Sequence, residues 1–219
     1  MSMFRTLLES MAQDYVPTPP NYPAPTPGVL PSEYQEVEYI QGTGTQYIST
    51  EVYPASSKME YKLKVLVPSG SNDGFAIGSS GNEYLGLNLY NDSMEQSWRN
   101  YYSYTATNLS GYSADTSYNM VIILENGYIS GTINQASINT SEYNTNESYQ
   151  TYLFRSFMDD NYYFVGRIYS CQIYQDNTLV RDFIPCYRKS DNEIGMFDIV
   201  NYIFYTNDGS GVFIKGNDV

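Results

Sequence analysis

Tyrosine dominates the side chains of this chain that could engage a ligand: there are 25, with a single tryptophan and no histidine. A tyrosine ring offers an apolar face that stacks on a sugar ring. Its hydroxyl and neighbouring Asn or Gln side chains supply the hydrogen bonds that orient such a ligand. The densest run holds Trp98, Tyr101, Tyr102, Tyr104 and Tyr112, followed by Tyr143, Tyr149 and Tyr152. The first five are the candidate glycan platform. The competing reading is that alternate strand aromatics simply fill a core.

Catalysis finds little support. Without histidine the usual neutral-pH base is missing, and with it the Ser/His triads and most transition-metal sites. A retaining glycosidase needs two carboxyl groups about 5–5.5 Å apart. The one alternating acid pair, Glu36 and Glu38, reads as solvated, and no Glu-x-Asp-x-x-Glu pattern occurs. The expectation is a protein that is not an enzyme.

Calcium is the one ion the acidic loops suggest: Asn72-Asp73, Asp159-Asp160-Asn161 and Asp191-Asn192-Glu193. Six to eight oxygens are required, and none of these loops carries a complete spacing. No cofactor is expected. The formal charge of −13 repels phosphate backbones and argues against nucleic acid as a partner. The longest apolar run, Met120–Leu124, is strand-sized, so no membrane span is expected. The first residues also lack the apolar core of a signal peptide. The four Asn-x-Ser/Thr sites, at Asn91, Asn108, Asn139 and Asn146, are therefore read as Asn/Ser richness.

The elements that must position these side chains are strands. Alternation and turn residues predict strands over Val37–Ile40, Tyr47–Val52, Lys58–Leu66, Gly74–Ser79, Tyr84–Tyr90, Ser97–Tyr104 and Met120–Glu125. Further strands are predicted over Tyr128–Ile133, Ser148–Phe154, Tyr163–Tyr174, Thr178–Arg188, Ile194–Asp198, Ile203–Thr206 and Val212–Lys215. Asn126-Gly127 supplies the two positive-φ positions of a type I′ hairpin. Asn207-Asp208-Gly209 reads as a further turn. If Asp176-Asn177 is a two-residue turn, Cys171 stands opposite Asp182, and a bond to Cys186 would need another register. Both cysteines are expected to be free buried thiols, as suits a reducing compartment. Pro185 lacks a ladder donor, so its strand should end there or lie at an edge. Arg181-Asp182 and Arg188-Lys189 are expected to tie the last strands to the opening segment.

The N-terminus differs. Met3, Phe4, Leu7, Leu8 and Met11 recur at helical spacing within residues 1–14, a helix too short to stand alone without a partner surface. Residues 15–30 carry most of the prolines and predict an extended, semi-rigid linker of about 3.1 Å per residue. The predicted organisation is an anchoring helix (1–14), a Pro-rich linker (15–30) and one β-domain (31–219).

Two stretches bracket that domain. The opening carries Leu30-Pro31, Tyr34, Glu38-Tyr39-Ile40 and Thr43-Gly44-Thr45-Gln46-Tyr47-Ile48. The closing half carries Gly166–Tyr174, Leu179–Cys186, Gly195–Asp198, Phe204-Tyr205 and Gly211. Both resemble the concanavalin A-like, laminin-G-like jelly-roll modules of tailed-phage virion proteins and gut-bacterial surface proteins. The resemblance spans roughly residues 30–216 and is loose between 55 and 160. It implies an all-β fold of two antiparallel sheets face to face, with the chain ends close together. It is specific for the module and not for a ligand.

The resulting expectation is a non-enzymatic virion protein of a tailed phage, a head or tail decoration or fibre assembled in the host cytoplasm. Its N-terminal segment would hold other virion proteins, and its jelly roll would attach to host-surface polysaccharide. Multivalent display would turn weak single-site binding into avidity, whether or not the protein is a homo-oligomer. The alternative is a purely structural decoration or spacer without a ligand.

Overall fold

The computed structural model describes residues 28–54, 57–69, 74–80, 83–88, 95–100, 103–108, 114–134, 136–142, 149–155 and 163–219. The predicted helix 1–14, with Met3, Phe4, Leu7, Leu8 and Met11, lies outside them, as does the linker up to residue 27. So do Tyr101, Tyr102, Tyr112 and Tyr143.

The described chain is all β. Its strands are β1 (Tyr34–Glu36), β2 (Ile40–Thr43), β3 (Ile48–Ser49), β4 (Lys58–Leu66), β5 (Phe75–Ser80), β6 (Glu83–Asn88), β7 (Glu95–Asn100), β8 (Ser103–Asn108) and β9 (Ser117–Glu125). They continue as β10 (Tyr128–Ile133), β11 (Ala136–Glu142), β12 (Thr151–Leu153), β13 (Val165–Gln175), β14 (Thr178–Arg188), β15 (Ile194–Asp198), β16 (Ile203–Tyr205) and β17 (Ile214–Lys215). One sheet runs β11-β10-β9-β4-β13-β14-β15-β16, with β1 on β14 and β2 between β13 and β17. The other runs β3-β12-β5-β6-β7-β8. All pairings are antiparallel, and the two sheets form a jelly-roll sandwich.

Strict alternation builds the core. On β4, Met59, Tyr61, Leu63 and Val65 are buried while Lys58, Glu60, Lys62 and Lys64 are not; on β9, Tyr118, Met120, Ile122 and Leu124 are the buried set. These side chains meet Ile48, Ala76, Ile77, Leu153 and Phe154 from the smaller sheet in one apolar cluster. Each fully buried aliphatic or aromatic side chain contributes about 1.5–3 kcal/mol by leaving water.

The bracketing segments pair with each other. Val37 bridges Asp218, the Glu38 amide donates to the Asn217 carbonyl at 2.9 Å, and the Val219 amide donates to the Glu36 carbonyl at 3.1 Å. The Thr43–Tyr47 run is a loop built around one buried amide. Gln46 Oε1 accepts from the Thr43 amide at 2.7 Å and from the Thr43 hydroxyl at 3.1 Å, while Gly44 takes φ +108°. Asn207 ties this loop to the last strands, accepting from the Tyr47 amide at 3.1 Å and the Gly209 amide at 2.8 Å.

Both predicted hairpin turns form. Asn126 and Gly127 have φ of 53° and 76°; Asp176 and Asn177 have 47° and 66°. Several predicted strands are revised. Of the predicted strand Val37–Ile40 only Ile40 is strand, as the first residue of β2, because the chain before it crosses from β14 to β13 and the ladder is interrupted between β1 and β2. Ser97–Tyr104 divides into β7 and β8, closed at Asn100 opposite Ser103. β11 is an addition whose polar sequence shows no alternation.

Register is corrected at the cysteines. A bulge after Ile173 places Cys171 opposite Phe183, and Gln172 rather than Cys171 opposite Asp182. Both thiols are free and buried. Pro185 neither ends its strand nor lies at the sheet edge. Its carbonyl accepts from Val37 on one side and it stands opposite Met196 of β15 on the other, while the β1 ladder stops at Glu36, next to the missing proline donor.

Arg181 and Lys189 do reach the opening segment, but through carbonyls: Arg181 Nε donates to Thr50 at 3.0 Å and Lys189 Nζ to Ser32 at 2.9 Å. The ion pairs are local. Arg188 forks onto Asp191, and Arg181 lies 3.6 Å from buried Asp198.

Candidate functional site

The outer face of the large sheet collects the polar side chains that alternation turns away from the core. Its floor is a row across four adjacent strands. Val121 on β9 stands opposite Lys62 on β4, Lys62 opposite Gln172 on β13, and Gln172 opposite Asp182 on β14. Side chains directly opposite share a face and touch. A shallow depression of about 340 Å³ opens over this row, bordered also by Lys64, Asn119 and Ser170.

Local hydrogen bonds hold the row in place. Tyr174 Oη donates to Gln172 Oε1 at 3.0 Å, and Gln172 Nε2 donates to Asp182 Oδ2 at 3.0 Å. Lys62 Nζ lies 3.0 Å from Glu60 and 4.4 Å from the centre of the Tyr174 ring. Burial pushes the Asp182 carboxyl above its ordinary range; the Gln172 amide opposes the shift and neighbouring Asp198 adds to it.

Toward β2 the same face becomes aromatic. Ile168 stands opposite Val65 but Ser170 opposite Lys64, so β13 carries an extra residue at Tyr169. This bulge leaves Tyr169 and Ser170 both outside the core, where simple alternation would bury one of them. The Tyr169 ring meets Tyr39 edge-on at 5.3 Å. Lys64 Nζ lies 5.1 Å from the Tyr169 ring centre, and the Arg167 guanidinium 4.4 Å from that of Tyr39. Arg167 Nε is fixed by Gln41 Oε1 at 2.8 Å. From Arg167 to Tyr174 the strip follows β13 for about 23 Å at 3.3 Å per residue.

A second aromatic group lies where β12 ends. The Arg155 guanidinium is 4.3 Å from the Tyr47 ring, 5.1 Å from Tyr163 and 5.9 Å from Tyr152. Tyr152 is itself largely buried.

Of the predicted platform, Trp98 lies on β7 opposite Thr105, and Tyr104 on β8 opposite Arg99. Tyr101, Tyr102 and Tyr112 lie outside the described residues. Tyr39, Tyr169, Tyr174, Lys62, Lys64, Arg167, Gln172 and Asp182 were not among the predicted site residues. The alternating Lys-x-Glu-x-Lys-x-Lys of β4 is the sequence signal that could have found their face.

Asp191 is engaged by Arg188 at 2.6 Å, and among the described residues no group of three acidic or thiol side chains gathers as metal ligands. Asn72-Asp73 and Asp159-Asp160-Asn161 lie outside them. Glu36 and Glu38 are solvent-facing, Glu38 Oε2 accepting from the Asn217 amide at 3.2 Å. No helix of the described residues is long and apolar enough to cross a membrane.

No protein-family model matches the chain, and no curated protein matches it in sequence. Solved structures do match in fold. A candidate carbohydrate-binding protein of Bacteroides ovatus superposes with a TM-score of 0.55 at 12% identity, over 84% of this chain and 62% of that protein's length. The chain therefore spans less than two thirds of it. The heptameric SAP-like pentraxin of Limulus polyphemus superposes with a TM-score of 0.54 at 8% identity, over 84% of this chain and 94% of the pentraxin. What these likenesses share with the chain is the fold alone, a jelly-roll sandwich of two antiparallel sheets.

Proposed function

We propose that residues 31–219 bind carbohydrate without chemical turnover, as the displayed domain of a tailed-phage virion protein held to the particle by residues 1–30. The observation that carries the carbohydrate part is the row Lys62–Gln172–Asp182 with Tyr174 beside it. The depression gathers amide, carboxyl and ammonium groups, and the Tyr174 ring, covered by Lys62 Nζ on one side, stands next to it through its hydrogen bond to Gln172. The jelly-roll fold shared with a candidate carbohydrate-binding protein supports this reading. The non-enzymatic part rests on chemistry: of the two carboxyls along the row, Glu60 is held by Lys62 and Asp182 by Gln172. Trp98, Tyr101, Tyr102, Tyr104 and Tyr112 remain the second candidate platform on the same domain.

The test is a glycan array probed with the full chain presented multivalently. Binding that is weakened by Gln172→Ala and Tyr174→Ala is the expected result; silence across host polysaccharides removes the lectin reading. The virion part has its own test. A chain lacking residues 1–29 should keep its β-sheet circular dichroism but fail to join particles, and continued incorporation would sink the anchor. A purely structural decoration predicts incorporation by the full chain with no glycan bound.

A further inference from the structure

We propose that Arg167 and Lys64, carried on the Tyr39–Tyr169 pair, form a subsite for the acidic group of an anionic polysaccharide. This inference rests on the carbohydrate reading of the same face and names the ligand's chemical class. The chain has 24 acidic and 11 basic residues, so a basic side chain has abundant acids to pair with. Most described cations are engaged in that way or by carbonyls. Lys62 meets Glu60, Arg181 meets Asp198, Arg188 meets Asp191, Lys215 meets Asp218, and Lys189 donates to Ser32.

Arg167 and Lys64 are different. Among the described residues neither has a carboxylate partner. Arg167 is held by a neutral amide and a tyrosine face, and Lys64 by a tyrosine face alone. A cation over an aromatic ring keeps its full charge and its outward N–H donors. The two supporting rings touch each other, so the two cations belong to one surface feature. The bulge at Tyr169 brings that ring outward, and Ser170 and Lys64 join the feature to the depression over Gln172. A guanidinium offers a carboxylate or sulfate a planar fork of donors, and the ammonium a second contact. The charge of the rest of the molecule is screened beyond about 10 Å at ordinary ionic strength, so contacts at this pair govern an anion already on the face.

The experiment measures retention of the full chain on polygalacturonate, on the same polymer after carboxyl reduction, on heparin, and on neutral dextran and mannan. It compares the parent with Lys64→Gln, Arg167→Gln, Arg167→Lys and the control Lys189→Gln, each checked for an unchanged melting curve. The expected result is retention on an acidic polymer that falls with added salt and is lost on carboxyl reduction. It should weaken about tenfold in Lys64→Gln and Arg167→Gln, the size of one charge-assisted hydrogen bond. Arg167→Lys should recover part of the loss, and Lys189→Gln should leave binding unchanged. Equal retention on acidic and neutral polymers, or binding indifferent to Lys64→Gln and Arg167→Gln, overturns the subsite and leaves carbohydrate binding standing. Retention on none of the polymers overturns both.

Discussion

The hydroxyls of Tyr61 and Thr151 lie 3.3 Å apart in the buried centre of the sandwich, one from each sheet. Tyr61 stands on β4 of the large sheet and Thr151 on β12 of the small one, and neither is accessible to solvent. An apolar sandwich core is otherwise tolerant of sliding. A buried polar pair that keeps its hydrogen bond only in one arrangement favours that arrangement of the two sheets.

Tyr61→Phe and Thr151→Val each strand the other hydroxyl in the core and should cost about 1–3 kcal/mol. The double variant removes both polar groups and should be closer to the parent than the two losses summed. A denaturant-unfolding double-mutant cycle measures this coupling. Additive losses would show that the pair does not interact.

Asp182 sets a pH dependence of defined sign. Burial raises its folded-state pKa above the unfolded value. Its contribution to stability is therefore present below about pH 3.9, the ordinary carboxylate value, and is lost as pH rises through the folded pKa. Asp182→Asn keeps an acceptor for Gln172 and should melt higher than the parent at pH 7. The gap should close as the medium is acidified, as read from melting temperatures across pH. A gap that widens in acid contradicts the assignment.

The two thiols should be inert. Burial pushes the Cys186 thiol up to about 12, and Cys171, fully enclosed, is pushed higher still. A thiolate is the reactive form, so neither cysteine should alkylate at pH 8 in the folded protein, and both should do so in denaturant. Mass spectrometry counts the adducts. Cys171 faces Phe183 and Cys186 faces Gly195 across their ladders, so oxidant should not join them in the native state.

Tyr202 is an unusual position. Its backbone takes φ 59°, its ring packs against Phe197, and its buried hydroxyl has no hydrogen-bond partner among the described residues. Tyr202→Phe removes an unsatisfied polar group and should be neutral or stabilising by about 1 kcal/mol. Tyr202→Gly relieves the backbone but deletes the ring, and should be the less stable of the two. Urea midpoints of the two variants rank them. A clear loss in Tyr202→Phe would mean that the hydroxyl has a role not visible in its contacts.

Local chemistry was legible from residue order alone. Asn126-Gly127 and Asp176-Asn177 specify their hairpins because positive φ is a property of the residues at the turn. The alternation of β4 and β9 specifies a face for each side chain because the strand period is two. The Thr43–Tyr47 run announces its module because Gly44 and Gln46 build the loop among near neighbours.

The site was decided only by tertiary structure. Residues 62, 121, 172 and 182 share one row because β9, β4, β13 and β14 are neighbours, and strand order leaves no mark in periodicity. The bulges at Tyr169 and after Ile173 shift register by one residue, and a shift of one exchanges inside for outside. They brought Tyr169 out beside Tyr39 and put Gln172 across from Asp182. Unbroken ladders would pair Cys171 with Asp182, and sequence order alone points to the aromatics of residues 98–112 for a ligand. What the fold added was a second surface on the large sheet, where two cations stand on tyrosines in a chain that has acids to spare.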